Sequence, residues 1–125
     1  KCLDAGIFAA RAGAKTGDIG HAIAEALEFY TKTYGFHFAE GLGGHGVGHS
    51  VHEDPFVPNF SRPNQGVVLG PGLVIAIEPI VNEKGEGIVL EDDGYTITTE
   101  DGGRSVHFEH TVVITTDGAE ILTQA

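Results

Sequence analysis

The sequence is poor in several residue types, and each shortage narrows the kinds of protein it can be. Its single cysteine, Cys2, forms no internal disulfide, which fits a reducing compartment. Lysine and arginine number 7 against 18 acidic residues, and the net charge of −11 repels nucleic-acid phosphates and anionic lipids. No apolar run approaches the roughly 20 residues of a membrane-spanning helix. We therefore expect a cytoplasmic protein that binds neither nucleic acid nor a membrane.

Methionine is also absent from the 125 residues. The sequence thus has no initiator methionine, and Lys1 opens directly onto a stretch that is typical of a helix. We expect residues 1–125 to be a fragment of a longer protein. With 41% hydrophobic residues and a length below the average domain of about 150 residues, we expect one hydrophobic core and no disorder.

Hydrophobic periodicity predicts an α+β fold. Two helices are expected over residues 2–11 and 19–34, with Asp18 as the N-cap of the second and Gly35 as its stop. Glycines and prolines then cluster in a region of loop and short strand. Antiparallel strands are predicted beyond that region, over residues 73–77, 87–91, 95–99, 106–115 and 120–123. Two helices followed by an antiparallel sheet define the α+β class.

Residues 41–46 match the spacing G-x-G-x-x-G of dinucleotide-binding loops. That motif requires a helix directly after the glycines and an acidic residue about 20 positions later. Pro55 and Pro58 follow instead, and the neighbourhood of Ser61 holds no acidic residue. A dinucleotide site is therefore excluded.

Three histidines, His45, His49 and His52, form the pattern H-x-x-x-H-x-x-H. On a helix they would share one face and suit a zinc site, but Gly46 and Gly48 disfavour a helix by about 1 kcal/mol each. In an extended chain His45 and His49 share a face and His52 takes the other, so a bend or bulge is needed to join them. A three-histidine zinc protein without a helix stays open as an alternative.

Two glutamates occupy positions where a charge is costly. Glu78 ends the apolar run over 73–77, and Glu109 stands just ahead of another apolar run. Each would pair with Arg62 or Arg104, lie on a solvated face, or bind a cation. Seven cationic residues cannot neutralise 18 acids by ion pairing, whereas a divalent metal would neutralise this pair.

One imidazole and two carboxylates favour Mn, Fe(II), Co or Zn over metals that prefer sulfur ligands. Three ligands leave positions open for water and substrate, and a metal brings the pKa of bound water toward neutrality. Hydrolysis is the reaction class that this chemistry suggests.

Five segments together resemble methionine aminopeptidases in their order and spacing, over nearly the whole chain: residues 44–48, 51–55, 71–79, 108–113 and 117–123. The resemblance implies the "pita-bread" fold, in which two similar halves of helices and antiparallel strands enclose a site for two divalent metal ions. It further implies an aminopeptidase that removes methionine from the amino termini of nascent proteins.

The resemblance also implies roles for individual residues. His45, Glu78 and Glu109 would be metal ligands, with Glu109 bridging both ions and Glu78 also accepting a proton. His52 would hold the scissile carbonyl or the oxyanion formed from it. Val51, beside His52, and Tyr95 would contribute to the substrate pocket.

Part of the family's site has no counterpart in this sequence. Two aspartate ligands, another catalytic histidine and part of the methionine pocket belong to the amino-terminal half in such enzymes. Residues 1–125 resemble the carboxy-terminal half only, so we expect weak metal binding and little hydrolysis by the chain alone. Its partner would be the missing half or a second copy of the chain. An Xaa-Pro dipeptidase and a non-catalytic binding module of the same fold stay open as alternatives.

Overall fold

The computed structural model describes residues 1–124, in which two helices precede all of the strands. Helix α1 spans Cys2–Ala9 and ends two residues earlier than predicted, because Ala10 is extended. Helix α2 spans Thr16–Tyr34, buries Ile19, Ile23 and Leu27, and ends at Gly35. Gly35 has a φ of 75°, a left-handed conformation that glycine adopts without strain.

The start of α2 differs from the prediction. The helix begins at Thr16, with Lys15 as its N-cap, and Asp18 lies within the first turn. The Asp18 carboxylate accepts the backbone N–H of Lys15 at 2.7 Å and that of Asn64 at 2.7 Å. Asp18 thus caps the helix from inside its first turn, and it also fixes the later loop against the helix.

Ten strands follow the helices in the described part of the chain: β1 (His37–Phe38), β2 (Gly43–Gly46), β3 (Glu53–Pro58), β4 (Val74–Ile77), β5 (Ile80–Asn82), β6 (Ile88–Leu90), β7 (Ile97–Thr99), β8 (Ser105–His107), β9 (His110–Ile114) and β10 (Ala119–Ile121). They form a five-stranded sheet in the order β10-β9-β4-β2-β3, a three-stranded sheet in the order β1-β5-β8, and the hairpin β6-β7. Every pairing of named strands is antiparallel, so the α+β class is confirmed.

The core lies between the two helices and the five-stranded sheet. Helix α1 approaches α2 and β4 so closely that a Cβ on Gly6 would lie 2.9 Å from the Ile23 side chain and 3.0 Å from that of Ile77. Aliphatic residues of α2, of β3, β4 and β9, of the loop before β4 and of the position just after α1 fill the space between them: Ala10, Ile19, Ile23, Val57, Leu69, Ile75, Ile77, Val112 and Ile114.

The segment predicted as one strand over 106–115 is two strands, β8 and β9, in different sheets. They are separated by Phe108 and Glu109, opposite Pro79. The Phe108 N–H donates to the Pro79 carbonyl at 3.4 Å, but proline has no N–H to return the bond. The register is unchanged across this break, since Ile77 pairs with His110 before it and Ile80 with His107 after it.

The predicted hairpin near residue 93 is present as β6 and β7. The Asp93 carboxylate accepts the backbone N–H groups of Tyr95 and Thr96 in its turn. Within residues 1–124, neither helix has the combination of length and apolar character that a membrane span requires.

Candidate metal centre

The five-stranded sheet places His45, Glu78 and Glu109 on one face. His45 on β2 pairs with Ala76 on β4, and paired residues of antiparallel strands share a face. Glu78 follows Ala76 by two residues, so alternation returns its side chain to the same face. Thr111 on β9 also pairs with Ala76, and Glu109 precedes Thr111 by two residues. The sheet register therefore brings together three residues that are far apart in the sequence.

These three side chains are close enough to share one cation. One donor atom from each of His45, Glu78 and Glu109 lies within 4.8 Å of the other two. The His45 Nε2 atom is 3.3 Å from Glu78 Oε1, and the two side chains are only 13% and 12% exposed. Arg104, considered as a partner of these glutamates, instead binds Glu83 at 2.7 Å.

The spacing of the donor atoms fits a metal ion. Two ligands at about 2.1 Å from a metal, at the angles of tetrahedral or octahedral geometry, are about 3.0 to 3.4 Å apart. The 3.3 Å between His45 and Glu78 falls in this range. His45 Nδ1 is 2.8 Å from the Gly46 carbonyl oxygen, which can only accept, so the proton is assigned to Nδ1. The Nε2 lone pair is then free to bind a metal.

The environment of Glu78 favours a nearby cation. Burial raises the pKa of Glu78, and the nearby Glu109 carboxylate raises it further, while His107, His45 and His52 act in the opposite direction. The charged form of Glu78 is therefore disfavoured in the metal-free protein. A divalent cation between the carboxylates would compensate both charges, so the donor set fits a metal in charge as well as in spacing.

His52 reaches the same site through a bend in the chain. Strands β2 and β3 are joined by a loop over residues 47–52, and their register shifts between Gly44 and Gly46. This irregularity brings the rings of His45 and His52 to 4.2 Å between centroids. His49 is exposed within the loop and is not in the donor group. A helical zinc site formed by these three histidines is excluded, because residues 43–46, which include His45, form a strand.

Val51 and Tyr95, the residues expected in the substrate pocket, are both on the surface. Their exposures are 73% and 89%, respectively. Val51 lies in the loop beside His52, and Tyr95 follows the turn between β6 and β7. Their assignment to substrate binding stays a prediction.

The sequence analysis missed His107. Its Nε2 atom lies 3.1 Å from Glu78 Oε2 and 3.7 Å from Glu109 Oε2. A signal was available, because His107 precedes Glu109 by two residues in a segment that alternates as a strand. Residues two positions apart in such a segment have their side chains on the same face of the sheet, so alternation alone would have predicted that His107 and Glu109 share a face.

Comparison with known proteins is consistent with this geometry. The chain is 44% identical over 123 residues to methionine aminopeptidase 1 of Mycobacterium tuberculosis, covering 97% of this chain and 46% of that protein. The crystal structure of methionine aminopeptidase from Thermotoga maritima matches with a TM-score of 0.90 and 44% identity, over 99% of this chain and 48% of that one. The corresponding structure from Rickettsia prowazekii matches with a TM-score of 0.91 and 36% identity, over 98% of this chain and 48% of that one.

These matches support the pita-bread fold expected from the sequence. The chain spans about half the length of the curated relatives it matches. A family model described as "Metallopeptidase family M24" covers residues 1–116, which include every residue of the donor group. The chain therefore belongs to metallopeptidase family M24.

Proposed function

We propose that this chain forms the carboxy-terminal half of the catalytic domain of a metal-dependent aminopeptidase. Its substrates would be nascent proteins in the cytoplasm, from which it removes the amino-terminal methionine. The observation that carries the proposal is the convergence of His45, Glu78 and Glu109 donor atoms within 4.8 Å on one face of the sheet. The relatives named methionine aminopeptidase support the reaction, and their greater length supports a second half that completes the site.

In this proposal His45 Nε2 and the carboxylates of Glu78 and Glu109 hold the metal, and the complete site holds two ions. The donor set suits Mn²⁺, Fe²⁺, Co²⁺ or Zn²⁺. When bound, such a cation supplies Lewis acidity and lowers the pKa of water. The missing half, or a second copy of this chain, would supply the remaining ligands.

The other roles fall to side chains of this chain. Glu78, which is 12% exposed between two imidazoles, takes a proton from the attacking water and delivers it to the leaving amine. His52 donates a hydrogen bond to the substrate carbonyl oxygen, a role supported by its exposure and by the 4.2 Å between the centroids of its ring and that of His45. Val51 and Tyr95 would line the pocket for the methionine side chain.

The test uses the complete product of the coding region, loaded with Mn²⁺, on Met-Ala-Ser and Ala-Pro peptides. We expect release of methionine and no cleavage of Ala-Pro. Glu78→Gln should lower kcat by about 10²-fold or more, because it removes the proton acceptor. Glu120→Gln, an exposed change on β10, is the matched control and should leave kcat unchanged.

Other outcomes would select the alternatives. Preferential cleavage of Ala-Pro would indicate an Xaa-Pro dipeptidase, and metal binding without cleavage of either peptide would indicate a binding module. For residues 1–125 alone we expect weak metal binding and little hydrolysis, because the ligand set is incomplete. Sub-micromolar affinity for two ions per chain would contradict this expectation.

A further inference from the structure

The peptide unit that follows Glu78 has only one hydrogen-bonding group. Glu78 precedes Pro79, and proline has no N–H, so the Glu78 carbonyl is the one group through which this peptide unit can be held. Glu78 also lies one residue beyond the end of β4. A donor that binds this carbonyl therefore fixes the backbone from which the Glu78 side chain extends.

Asn59 supplies that donor. It directly follows β3, and it is only 4% exposed. Its Nδ2 atom donates to the Glu78 carbonyl oxygen at 3.0 Å and to the Leu42 carbonyl oxygen at 3.4 Å. A side-chain amide carries two N–H groups, so it can make both bonds at once. Because both partners are carbonyl oxygens and can only accept, they assign the Nδ2 end of the amide to this contact.

These two bonds join the elements that carry two ligands of the proposed metal centre. Leu42 directly precedes β2, the strand that holds His45, whereas Glu78 directly follows β4. The backbone pairing of β2 with β4 reaches His45 and Ala76. Asn59 thus connects the two strands beyond that ladder, at the end where Glu78 lies.

We infer that Asn59 is a positioning residue for Glu78 and, through β2, for His45. It acts on the backbone of both residues from a third strand. Without its N–H groups the peptide unit between Glu78 and Pro79 would rotate more freely. The Glu78 carboxylate would then leave the position in which its Oε1 atom is 3.3 Å from His45 Nε2. The inference rests on the proposed function and adds to it a residue that touches neither metal nor substrate.

The experiment compares Asn59→Leu with a matched control, Asn82→Leu, in the complete product of the coding region. Asn82 is 1% exposed, and its Nδ2 atom also donates to a carbonyl oxygen, that of Gly85 at 3.1 Å. Within residues 1–124, neither Asn59 Oδ1 nor Asn82 Oδ1 has a donor. The two substitutions therefore remove the same group from equally buried sites, but only Asn59 binds the backbone of a proposed ligand.

With Mn²⁺ and Met-Ala-Ser, Asn59→Leu should lower kcat at least about tenfold and leave KM within about twofold, because it misplaces the proton acceptor without touching the substrate. Asn82→Leu should keep kcat within about twofold of the unaltered protein. Asn59→Gln retains the amide donor on a longer side chain, and Asn59 borders an open cavity of about 510 Å³ that has room for the added methylene. Its kcat should exceed that of Asn59→Leu.

Two readouts do not depend on activity. In the unaltered metal-free protein, NMR should detect scalar coupling across the hydrogen bond between Asn59 Nδ2 and the Glu78 carbonyl carbon, which needs no variant to fold. Equilibrium dialysis with Zn²⁺ should show an affinity at least about tenfold lower for Asn59→Leu than for Asn82→Leu.

Absence of the coupling would overturn the inference, as would equal losses of kcat and zinc affinity in the two leucine variants, or a glutamine variant no better than Asn59→Leu. If the unaltered protein cleaves neither Met-Ala-Ser nor Ala-Pro, the proposed function fails. The coupling and the zinc affinities then still decide whether Asn59 positions Glu78.

Discussion

Glu78 and Glu109 are held near one another at a cost to the stability of the metal-free protein. Burial and the adjacent Glu109 charge both raise the pKa of Glu78. The carboxylates in the first turn of α2 and in the turn between β6 and β7 show the opposite shift. Hydrogen bonds lower the pKa values of Asp18 and Asp93 and so favour their charged forms. Glu78 therefore differs from the acids that stabilise this fold, and such perturbed carboxylates are common at functional sites.

Replacing Glu109 by glutamine should stabilise the metal-free protein and weaken metal binding. The change removes the repulsion on Glu78, and we expect a gain of about 0.5 to 1 kcal/mol, limited because Glu109 is 41% exposed and water screens its charge. Thermal unfolding with EDTA and with added Zn²⁺ measures both effects. Glu120→Gln is the control, and a lower Tm for metal-free Glu109→Gln than for the unaltered protein would contradict the prediction.

Individual site residues differed in how far the sequence could predict them. Glu78 and Glu109 were selectable because each stands at the edge of an apolar run, and family motifs marked His45 and His52. The contact between the rings of His45 and His52 was not predictable from spacing, because it depends on a register shift and a loop. His107 lacked a motif, and its proximity to Glu78 follows from a long-range pairing of strands.

At the scale of elements, β2 depends on glycines that permit close approach of neighbouring strands. A Cβ on Gly46 would overlap the Asp54 carbonyl group and lie 2.9 Å from the Glu53 oxygen. All of these are backbone atoms, which cannot move away by a change of rotamer. Gly46 thus allows the sharp return of the chain that carries His52 toward His45.

Substituting Gly46 by alanine should therefore destabilise the protein by about 1 to 3 kcal/mol, the usual range for forced overpacking. Urea unfolding measures the change. Gly70→Ala is the matched control, because a Cβ at Gly70 would meet no atom within 4 Å. Equal unfolding midpoints for the two variants would show that β2 and β3 can separate without cost.

The first turn of α2 is tied to the loop over residues 62–68. The N–H groups of Thr16 and Gly17 donate to the carbonyls of Val67 and Gln65, each at 2.9 Å. Asp18 completes this attachment through the Asn64 N–H. The pKa of Asp18 is lowered by the hydrogen bond from Asn64 and then by that from Lys15.

We expect Asp18→Asn to destabilise the protein by about 1 kcal/mol near neutral pH, because an amide has only one accepting oxygen for two N–H donors. Since the folded protein lowers the pKa of Asp18, its contribution is complete above the carboxyl's ordinary value and is lost as the pH falls through the lower, folded value. The difference between the two proteins should therefore shrink at about pH 3 in urea unfolding. Asp92→Asn, in an exposed turn, is the control, and a difference independent of pH would argue against the role of the charge.

Element boundaries were predictable where the local sequence decides them, as at Gly35 and the turn at Asp93. They were not predictable where a distant partner decides. Local alternation over residues 106–115 gives no sign that Pro79, between β4 and β5, interrupts the ladder there. The predicted start of α2 was wrong for a related reason. Asp18 lies within the first turn, where its carboxylate also accepts a hydrogen bond from the N–H of the distant residue Asn64.

At the scale of the whole molecule, the solvent-accessible surface area is larger than that of an average monomeric protein of the same mass. A monomer of 13.1 kDa exposes about 6,400 Å² on average, whereas this chain exposes 7537 Å². The excess of about 1,100 Å² is comparable with one side of a stable protein interface. Large apolar side chains are exposed as well, among them Phe8, Phe60 and Tyr95 at 85%, 75% and 89%.

We therefore predict self-association of the isolated chain. Sedimentation velocity should show a mass that rises with protein concentration. Because the net charge of −11 opposes contact between copies, added salt should strengthen association by screening the repulsion. A monomer at all concentrations and salt levels would contradict the prediction, as would dissociation on adding salt.

The fold class and the family were predictable from the sequence as a whole. The partition of ten strands into three sheets was not, because composition and periodicity do not record which strands pair. Pro79, for example, interrupts the ladder between residues 74–82 and 105–114 because it has no N–H to donate to the opposite strand segment.

The unchanged register on both sides of Pro79 has a consequence for the order of events in folding. Glu78 and Glu109 come close together only when residues 74–82 have paired with residues 105–114. This pairing closes a long intervening loop. A cation that needs both carboxylates binds fully only once this closure has formed. Its binding therefore reports that the two stretches are correctly aligned.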